Sequence, residues 1–491
     1  MSLNLTKSLI LAGLQCEKRL HLALHHPDEA QPVTSAAAIT GQVVERHARL
    51  EFPDAVLIGR GLQDIDPFQQ TARCMQDPAV HGLFEAAFSD DGISVFVDVL
   101  QRAGECWDLV EIKAGTRIQD RHIDDVAIQV RVLARAGVRL GRICLMHIDP
   151  DFIYTGKHDY AGLFVREDIS DRVRRHLATT EADIVRLQAM VTRPEPVRHV
   201  GSHCRVPWVC EFTAYCSARD AAYPVSRLPN ARAQLVSQLL AQGISDIREI
   251  PAGMLSSETH QRIRRITIDG KAEQLPGAAN TLNALPFPRY YLDFECIQFA
   301  IPVWAGTRPY DQLPFQWSCH IEPAGQPLEH RAFLDASGSD PRRAFAESLV
   351  AVCGGEGPII VYNQAFEKRI IRELAETFAD LRAALLALNE RIVDLLPIVK
   401  RNYYHPDMQG SWSIKHVLPC LVPGLRYADL GAVQEGTEAQ QAYFDLISGN
   451  LDAGESERLR SDLLAYCELD TRAMVEIVGK LRQGAGRGKR C

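Results

Sequence analysis

Three groups of residues in this 491-residue chain have types and spacings suited to phosphate or metal chemistry. The first lies in ISVFVDVL, QRAGEC and WDLVEIKAGT, which read as a strand, a turn over 101–106 and a returning strand. Glu111 and Lys113 are two apart, so on a strand they share one face. A hairpin brings Asp98 beside Glu111. Two carboxylates at that distance repel each other unless a divalent cation sits between them. A neighbouring lysine can orient a water or steady charge developing on a phosphate. The helical pattern DDVAIQVRVLARAGV points Gln129 at this site, and GQVVERHARLEFP offers Glu45 or His47. An exposed hairpin with an ordinary salt bridge would show the same spacing.

The second group is more spread out. RYYLDFECIQF reads as a strand with Asp293 and Glu295 on one face. GPIIVYNQAFEKRIIREL joins an apolar strand to a helix, with Glu367 near the helix start. SDLLAYCELDTRAMVEIVGKL has helical spacing, which puts Tyr466 and Asp470 one turn apart on one face. Four acids converging from these elements could hold two metal ions, one activating water and the other steadying a leaving oxygen. Each short pattern alone also occurs by chance. Asp394, in RIVDLLPIVKR, is a competing acid beyond the strand–helix turn.

The third group is four cysteines. Cys204, Cys210 and Cys216 are spaced C-x5-C-x5-C, and Cys16 lies far upstream. The paired C-x2-C knuckles of a zinc ribbon are absent. Four thiolates suit an iron–sulfur cluster. Zinc, or four buried structural cysteines, are the alternatives.

These residues need elements to position them, and composition bounds what those are. The length predicts two to four domains. Lys and Arg total 54 against 62 Asp and Glu, a formal net charge of −8, which argues against a wholly basic nucleic-acid coat but permits local basic patches and acid clusters that hold metals. No run of 18 apolar residues exists, so no membrane helix is expected. The odd count of 13 cysteines, without a signal peptide, predicts a reducing cytoplasm. The stretch Leu9–Cys16 reads as a helix start with Thr6 as its N-cap. Residues 1–224 mix helices with short strands, 225–286 alternate short helices with Gly and Pro, 287–482 return to strands and helices, and 483–491 form a basic tail. The fold class expected is α/β and multidomain.

Candidate nucleic-acid contacts are weaker signals. Arg172, Arg174 and Arg175, then Arg262, Arg264 and Arg265, and the tail arginines 487–490 form basic clusters. Phe294, Trp304, Tyr310 and Trp412 could stack bases or sit in the core. Ser411, Lys415 and His416 could touch a ligand or belong to a solvated loop. LLAQGISDIREIP has the rhythm of a helical hairpin that grips phosphates through its amides.

The order Gly41-x3-Glu45, Asp98, Glu111-Ile-Lys113 and Gln129 resembles the RecB-like branch of the PD-(D/E)xK nucleases. That resemblance implies Mg²⁺ or Mn²⁺ on Asp98 and Glu111, with Glu45 as a further ligand, a water-assisting role for Lys113, and a restriction-endonuclease-like fold. One cysteine before this core and three after it resemble the iron–sulfur members of the branch, which implies a structural 4Fe–4S cluster on Cys16, Cys204, Cys210 and Cys216. Asp293-Phe-Glu295, Asn363-x2-Phe-Glu367 and Tyr466-x3-Asp470 resemble the three motifs of DnaQ-like 3′–5′ exonucleases. They imply an RNase H-like mixed sheet with flanking helices, metals on Asp293, Glu295, Glu367 and Asp470, and Tyr466 positioning water. PFQWSCHI, YYHPDMQGSWSIKHVLP and YCELDT resemble an uncharacterised bacterial domain found behind RecB-like nucleases. Together these imply a DNA nuclease with two centres acting on single-stranded ends in repair, recombination or defence, with RNA as an alternative substrate. In the other reading, one of the domains is inactive and serves as a binding platform. Whether a helicase feeds the enzyme is not encoded in these motifs.

Overall fold

The computed structural model describes residues 4–32, 36–59 and 66–483. The basic tail with Arg487, Lys489 and Arg490 lies outside the described residues. The chain is α/β and forms two compact units. Unit 1 comprises Met1–Asp220 with Phe299–Tyr310, and unit 2 comprises Ala221–Gln298 with Asp311–Cys491. The segment 225–286 is therefore carried within unit 2. Among the described residues, no helix is long and apolar enough to cross a membrane.

Unit 1 is built on a seven-stranded mixed sheet. Its strands are β1 (Leu5–Thr6), β2 (Ala55–Leu57), β3 (Gly82–Asp90), β4 (Ile93–Ala103), β5 (Cys106–Lys113), β6 (Leu140–Ile148) and β7 (Phe164–Asp168). They lie in the order β2-β3-β4-β5-β6-β7, with β1 beside β4. β3 turns into β4 through Asp91 and Gly92, both at positive φ, the backbone a two-residue hairpin needs. The next turn is shorter than its sequence suggested, because β4 continues to Ala103 and only Gly104 and Glu105 connect it to β5. Arg102 explains the difference. Its guanidinium lies 4.3 Å from the Trp107 ring centroid and donates to the carbonyls of Val80 and Met75, so a charged residue is held in the strand.

β5 and β6 run parallel, joined by the helix Asp120–Arg135. Val126, Ile128, Val130 and Leu133 of that helix pack with Val97 and Leu109 of the sheet. Ala300 and Ile301 complete another cluster with Ile148 and Leu163, and the Tyr310 hydroxyl donates to the Ala114 carbonyl. Thr6 caps the first helix, Lys7–Gln15, by accepting from the Leu9 amide.

Unit 2 holds a small pair, β8 (Glu273–Gln274) with β14 (Tyr403–Tyr404), and a five-stranded mixed sheet. The larger sheet contains β9 (Arg289–Ile297), β10 (Leu313–Glu322), β11 (Glu329–Leu334), β12 (Ile359–Val361) and β13 (Ile392–Asp394), in the order β11-β10-β9-β12-β13. β9, β10 and β11 form an antiparallel meander, while β12 and β13 add in parallel. Helices Arg342–Cys353 and Ala365–Thr377 cover apolar side chains of β9 and β12, including Leu292, Phe294 and Val361. The long helix Ala453–Gln483 packs on β9 and β10, and the Gln316 amide donates to the Leu463 carbonyl at 2.7 Å.

Candidate active sites and metal centres

In unit 1 the β4–β5 ladder runs to the pair Val99–Val110, one residue from Asp98 and Glu111. Asp98 Oδ2 accepts from the Ile112 amide at 2.8 Å. Glu111 is fully buried, and its Oε1 accepts from Lys113 Nζ at 2.6 Å and from Lys7 Nζ at 3.1 Å. Its Oε2 accepts from the Gln129 amide at 2.8 Å. Asp98, Glu111, Lys113 and Gln129 thus meet in one cluster.

Two members of that cluster were not singled out in the sequence. Asp125 accepts from Lys113 at 2.5 Å, Lys7 at 2.8 Å and Gln129 at 3.1 Å. It is four residues before Gln129, so helical spacing would have placed it on the same face. Lys7 comes from the first helix, and no local pattern marks it. Burial and the Glu111 charge push Asp98 up to about 8. Asp125 goes the other way: burial opposes its charge, but Lys113 and Lys7 hold it well below the carboxylate range. Both lysines are raised despite burial, by Glu111 and Asp125. Glu45 pairs instead with Arg49, which also reaches Glu85 at 3.6 Å. Among the described residues, the polar contacts of the cluster do not include Glu45.

The four cysteines also meet. Cys16, Cys204, Cys210 and Cys216 line one small cavity, together with Lys18, Arg19 and Arg198. All four are free thiols. Groups of three donors within 4.8 Å of one another occur elsewhere among the described residues but not among these sulfurs. A tetrahedral zinc ion with ~2.3 Å bonds would draw its sulfurs to ~3.8 Å apart. Lys18 and Arg19 beside the cysteines pair with Glu195 and Glu211 at 2.8 Å each.

In unit 2, Asp293 and Glu295 project from β9, and Asp470 comes from the long helix. One carboxylate oxygen of each lies within 4.8 Å of the other two. Burial and mutual repulsion raise Asp293 and Glu295 well above the carboxylate range, and burial brings Asp470 to about 6. Glu367 is buried, its Oε2 has no hydrogen-bond partner, and burial lifts it to about 8. Clustered oxygen donors that repel one another fit a hard divalent cation such as Mg²⁺ or Mn²⁺. Glu367 acts on Asp293 electrostatically but stands outside the tight trio. Asp394 is occupied differently, accepting from the Asn363 and Leu396 amides at 3.0 Å each.

Tyr466 sits on the same helix face as Asp470, and burial plus the surrounding acids keep its phenol protonated. Tyr427, which the motifs did not reveal, donates to Asp470 Oδ1 at 2.5 Å. Lys415 Nζ lies 5.0 Å and 5.2 Å from the ring centroids of Tyr427 and Tyr466. It opposes the charges of Glu295 and Asp470. Asp293, Glu295, Lys415, Tyr466 and Asp470 border a cleft of about 570 Å³ that also exposes Ser411, Ser413 and Lys400. A second polar cleft of about 520 Å³ shares Pro229 and Lys400 with it and carries Arg232, Gln234 and Ser257.

Several candidate contacts have other uses. Phe294, Trp304 and Trp412 are buried; the Trp412 indole donates to the Tyr403 carbonyl at 2.9 Å. Arg262 and Arg265 both pair with Glu273, and Arg264 donates to the Ile250 carbonyl. Arg172 pairs with Asp120 and Arg174 with Asp171. Each of these five cations thus has an acidic or carbonyl partner within the chain.

Residues 290–413 match the sequence profile of a domain of unknown function (DUF2779). The uncharacterised protein UU173 of Ureaplasma parvum is 27% identical over 223 residues, covering 41% of this chain and 32% of that protein. The uncharacterised protein MG366 of Mycoplasma genitalium is 25% identical over 218 residues, covering 40% and 32%. The chain thus spans about a third of the length of the curated relatives it matches.

Proposed function

We propose that this chain is a metal-dependent nuclease that hydrolyses phosphodiester bonds at free ends of DNA, with the unit 2 carboxylates as its principal centre. The observation that carries the reading is the convergence of Asp293, Glu295 and Asp470 within 4.8 Å. Their sheet order, a meander extended by parallel strands, supports an RNase H-like fold for this unit. The antiparallel β4–β5 pair followed by a helix and parallel β6 supports a PD-(D/E)xK fold for the other. Pathways of repair, recombination or defence suit an activity of this kind.

Bound Mg²⁺ or Mn²⁺ would supply an activated water and neutralise phosphate charge. The chain's own residues supply the rest. Asp293, Glu295 and Asp470 are the ligands, and Glu367 supplies a further carboxylate nearby. The Tyr466 phenol, kept protonated, donates a hydrogen bond to the attacking water or a phosphate oxygen. Lys415 offers positive charge beside the acids, where charge builds in the transition state. A single strand can run from the acids past Lys400 into the polar cleft of Arg232 and Gln234.

Unit 1 contributes a second candidate centre on Asp98, Glu111 and Lys113, with Gln129 orienting Glu111. The cysteine cavity would hold a 4Fe–4S cluster that ties residue 16 to residues 204–216, a structural role. One observation favours the binding-platform reading for unit 1: both oxygens of Glu111 are already hydrogen-bonded, and two lysines offset its charge. A metal there competes with Lys7.

The test is Mn²⁺-dependent degradation of end-labelled single-stranded DNA, duplex DNA and RNA by the full chain. Asp293→Ala is expected to remove most activity, and Asp293→Ala with Lys113→Ala all of it. Activity that survives the double substitution overturns the proposal. Activity unchanged by Lys113→Ala alone assigns unit 1 the platform role.

A further inference from the structure

A second cluster of metal-ligating side chains lies in unit 2. In the β10–β11 ladder His320 stands opposite His330, with ring centroids 4.6 Å apart. Glu468 reaches them from the long helix. A ring nitrogen of each histidine and a carboxylate oxygen of Glu468 lie within 4.8 Å of one another.

A hydroxyl network of Ser318 and Thr471 backs both imidazoles. In the arrangement that leaves the outward ring nitrogens free for a ligand, the Thr471 hydroxyl donates its proton to the Glu468 carbonyl at 3.0 Å. Its oxygen also lies 2.8 Å from His320 Nδ1 and 2.8 Å from Ser318 Oγ, so it accepts from both. The Ser318 proton is thereby used, and Ser318 Oγ, 2.9 Å from His330 Nε2, accepts from that nitrogen. Each imidazole thus carries its proton on the hydroxyl side. In the neutral rings the free lone pairs stand on His320 Nε2 and His330 Nδ1.

His330 Nδ1 is 3.9 Å from Glu468 Oε1, too far for a hydrogen bond. Two ligands of one tetrahedral zinc ion, bonded at ~2.0–2.1 Å, stand ~3.4 Å apart. Histidines that bind metals hold their other N–H on an oxygen acceptor, as both do here. Two nitrogens and one oxygen suit a borderline ion rather than Mg²⁺. We propose that His320 Nε2, His330 Nδ1 and the Glu468 carboxylate bind one Zn²⁺ ion, distinct from the Asp293–Glu295–Asp470 centre. The Glu468 side chain is half-exposed, which leaves a fourth position open to water. The ion pins β10 and β11 to the helix that carries Asp470, so the site is a positioning device for the acids.

The test uses the full chain, stripped of metal, reloaded with Zn²⁺ and desalted, then analysed for zinc. Co²⁺ serves as the spectroscopic probe. The expected result is one zinc retained per chain in the wild type and in Asp293→Asn, and its loss in His330→Ala and Glu468→Gln. Glu468 is exposed enough for its substitution to leave the fold intact, which circular dichroism checks. Ser318→Ala removes the support of His330 and the Ser318–Thr471 hydrogen bond behind His320, and should weaken zinc binding ~10–100-fold. Bound Co²⁺ should give weak visible bands without the strong near-ultraviolet band of cobalt thiolates. Absence of retained zinc in the wild type, zinc unaffected by Glu468→Gln and His330→Ala, or zinc lost on Cys204→Ser or Asp293→Asn instead each overturns the proposal.

Discussion

The Tyr427 phenol donates a 2.5 Å hydrogen bond to Asp470 Oδ1 across 43 residues of sequence. That bond holds one of the three clustered carboxylates and lowers its proton affinity against burial. Tyr427→Phe keeps the ring that packs beside Tyr466 and removes only the donor. Mn²⁺ affinity at the acid centre should then fall ~10-fold, within the range for lost ligand support. Titration calorimetry of the metal-stripped chain measures it, and an unchanged affinity would mean that Tyr427 serves packing alone.

The raised carboxyls make stability depend on pH with a defined sign. Groups raised on folding make the metal-free folded chain bind more protons than the unfolded chain, so stability falls as pH rises. Unfolded carboxyls titrate near ~4. The loss should show above ~6.5, where the lowered His122 and His320 no longer oppose it, and run through about 8 for Glu367 and Asp98. Added Mn²⁺ should restore stability most on the alkaline side, by ~2.7 kcal/mol at a hundredfold excess over Kd. Thermal melts at several pH values, with and without Mn²⁺, check this. A metal-free chain that grows steadily more stable over that window would contradict it.

Lys7 joins Glu111 and Asp125 at 3.1 Å and 2.8 Å, so its loss leaves buried acids under-compensated. Lys7→Met should cost ~2–3 kcal/mol of unit 1 stability, less than the ~3–5 kcal/mol for breaking a fully buried pair, because Lys7 is partly exposed. Chemical denaturation of the variant reads this. Divalent metal should recover part of the loss, since it supplies the missing charge, and no recovery would argue against a cation on Asp98 and Glu111.

The cysteine cavity predicts a colour. Anaerobically purified chain should be brown with four irons, and Cys204→Ser should lose both iron and thermal stability. Its neighbour Cys210 is pushed up to about 11, mainly by burial. A buried thiol of that kind loses its proton when a metal binds it, so cluster assembly should speed up at alkaline pH. Iron content, absorbance and melting temperature are the readouts. A colourless chain with one zinc on these cysteines would replace the cluster with the alternative metal.

The sequence by itself determined the local facts of this protein. Period-two and helical spacing put Glu111 with Lys113, Asp293 with Glu295, and Tyr466 with Asp470 on shared faces, because strand and helix geometry fix those neighbours regardless of context. It also named the four cysteines that line one cavity. Tertiary structure alone decided the partners that come from far along the chain. Lys7 reaches Glu111 and Tyr427 reaches Asp470 only because separate elements pack together, and no short-range pattern records such contacts. Burial was decided at the same level. Phe294, Trp304 and Trp412 read equally as stacking platforms or core in sequence, and the apolar neighbours gathered by folding put them inside. Arg262 and Arg265 read as a run of free cations in sequence, and the fold gives both of them Glu273 as a partner. Spacing determines which side chains share a face, and packing determines what that face meets.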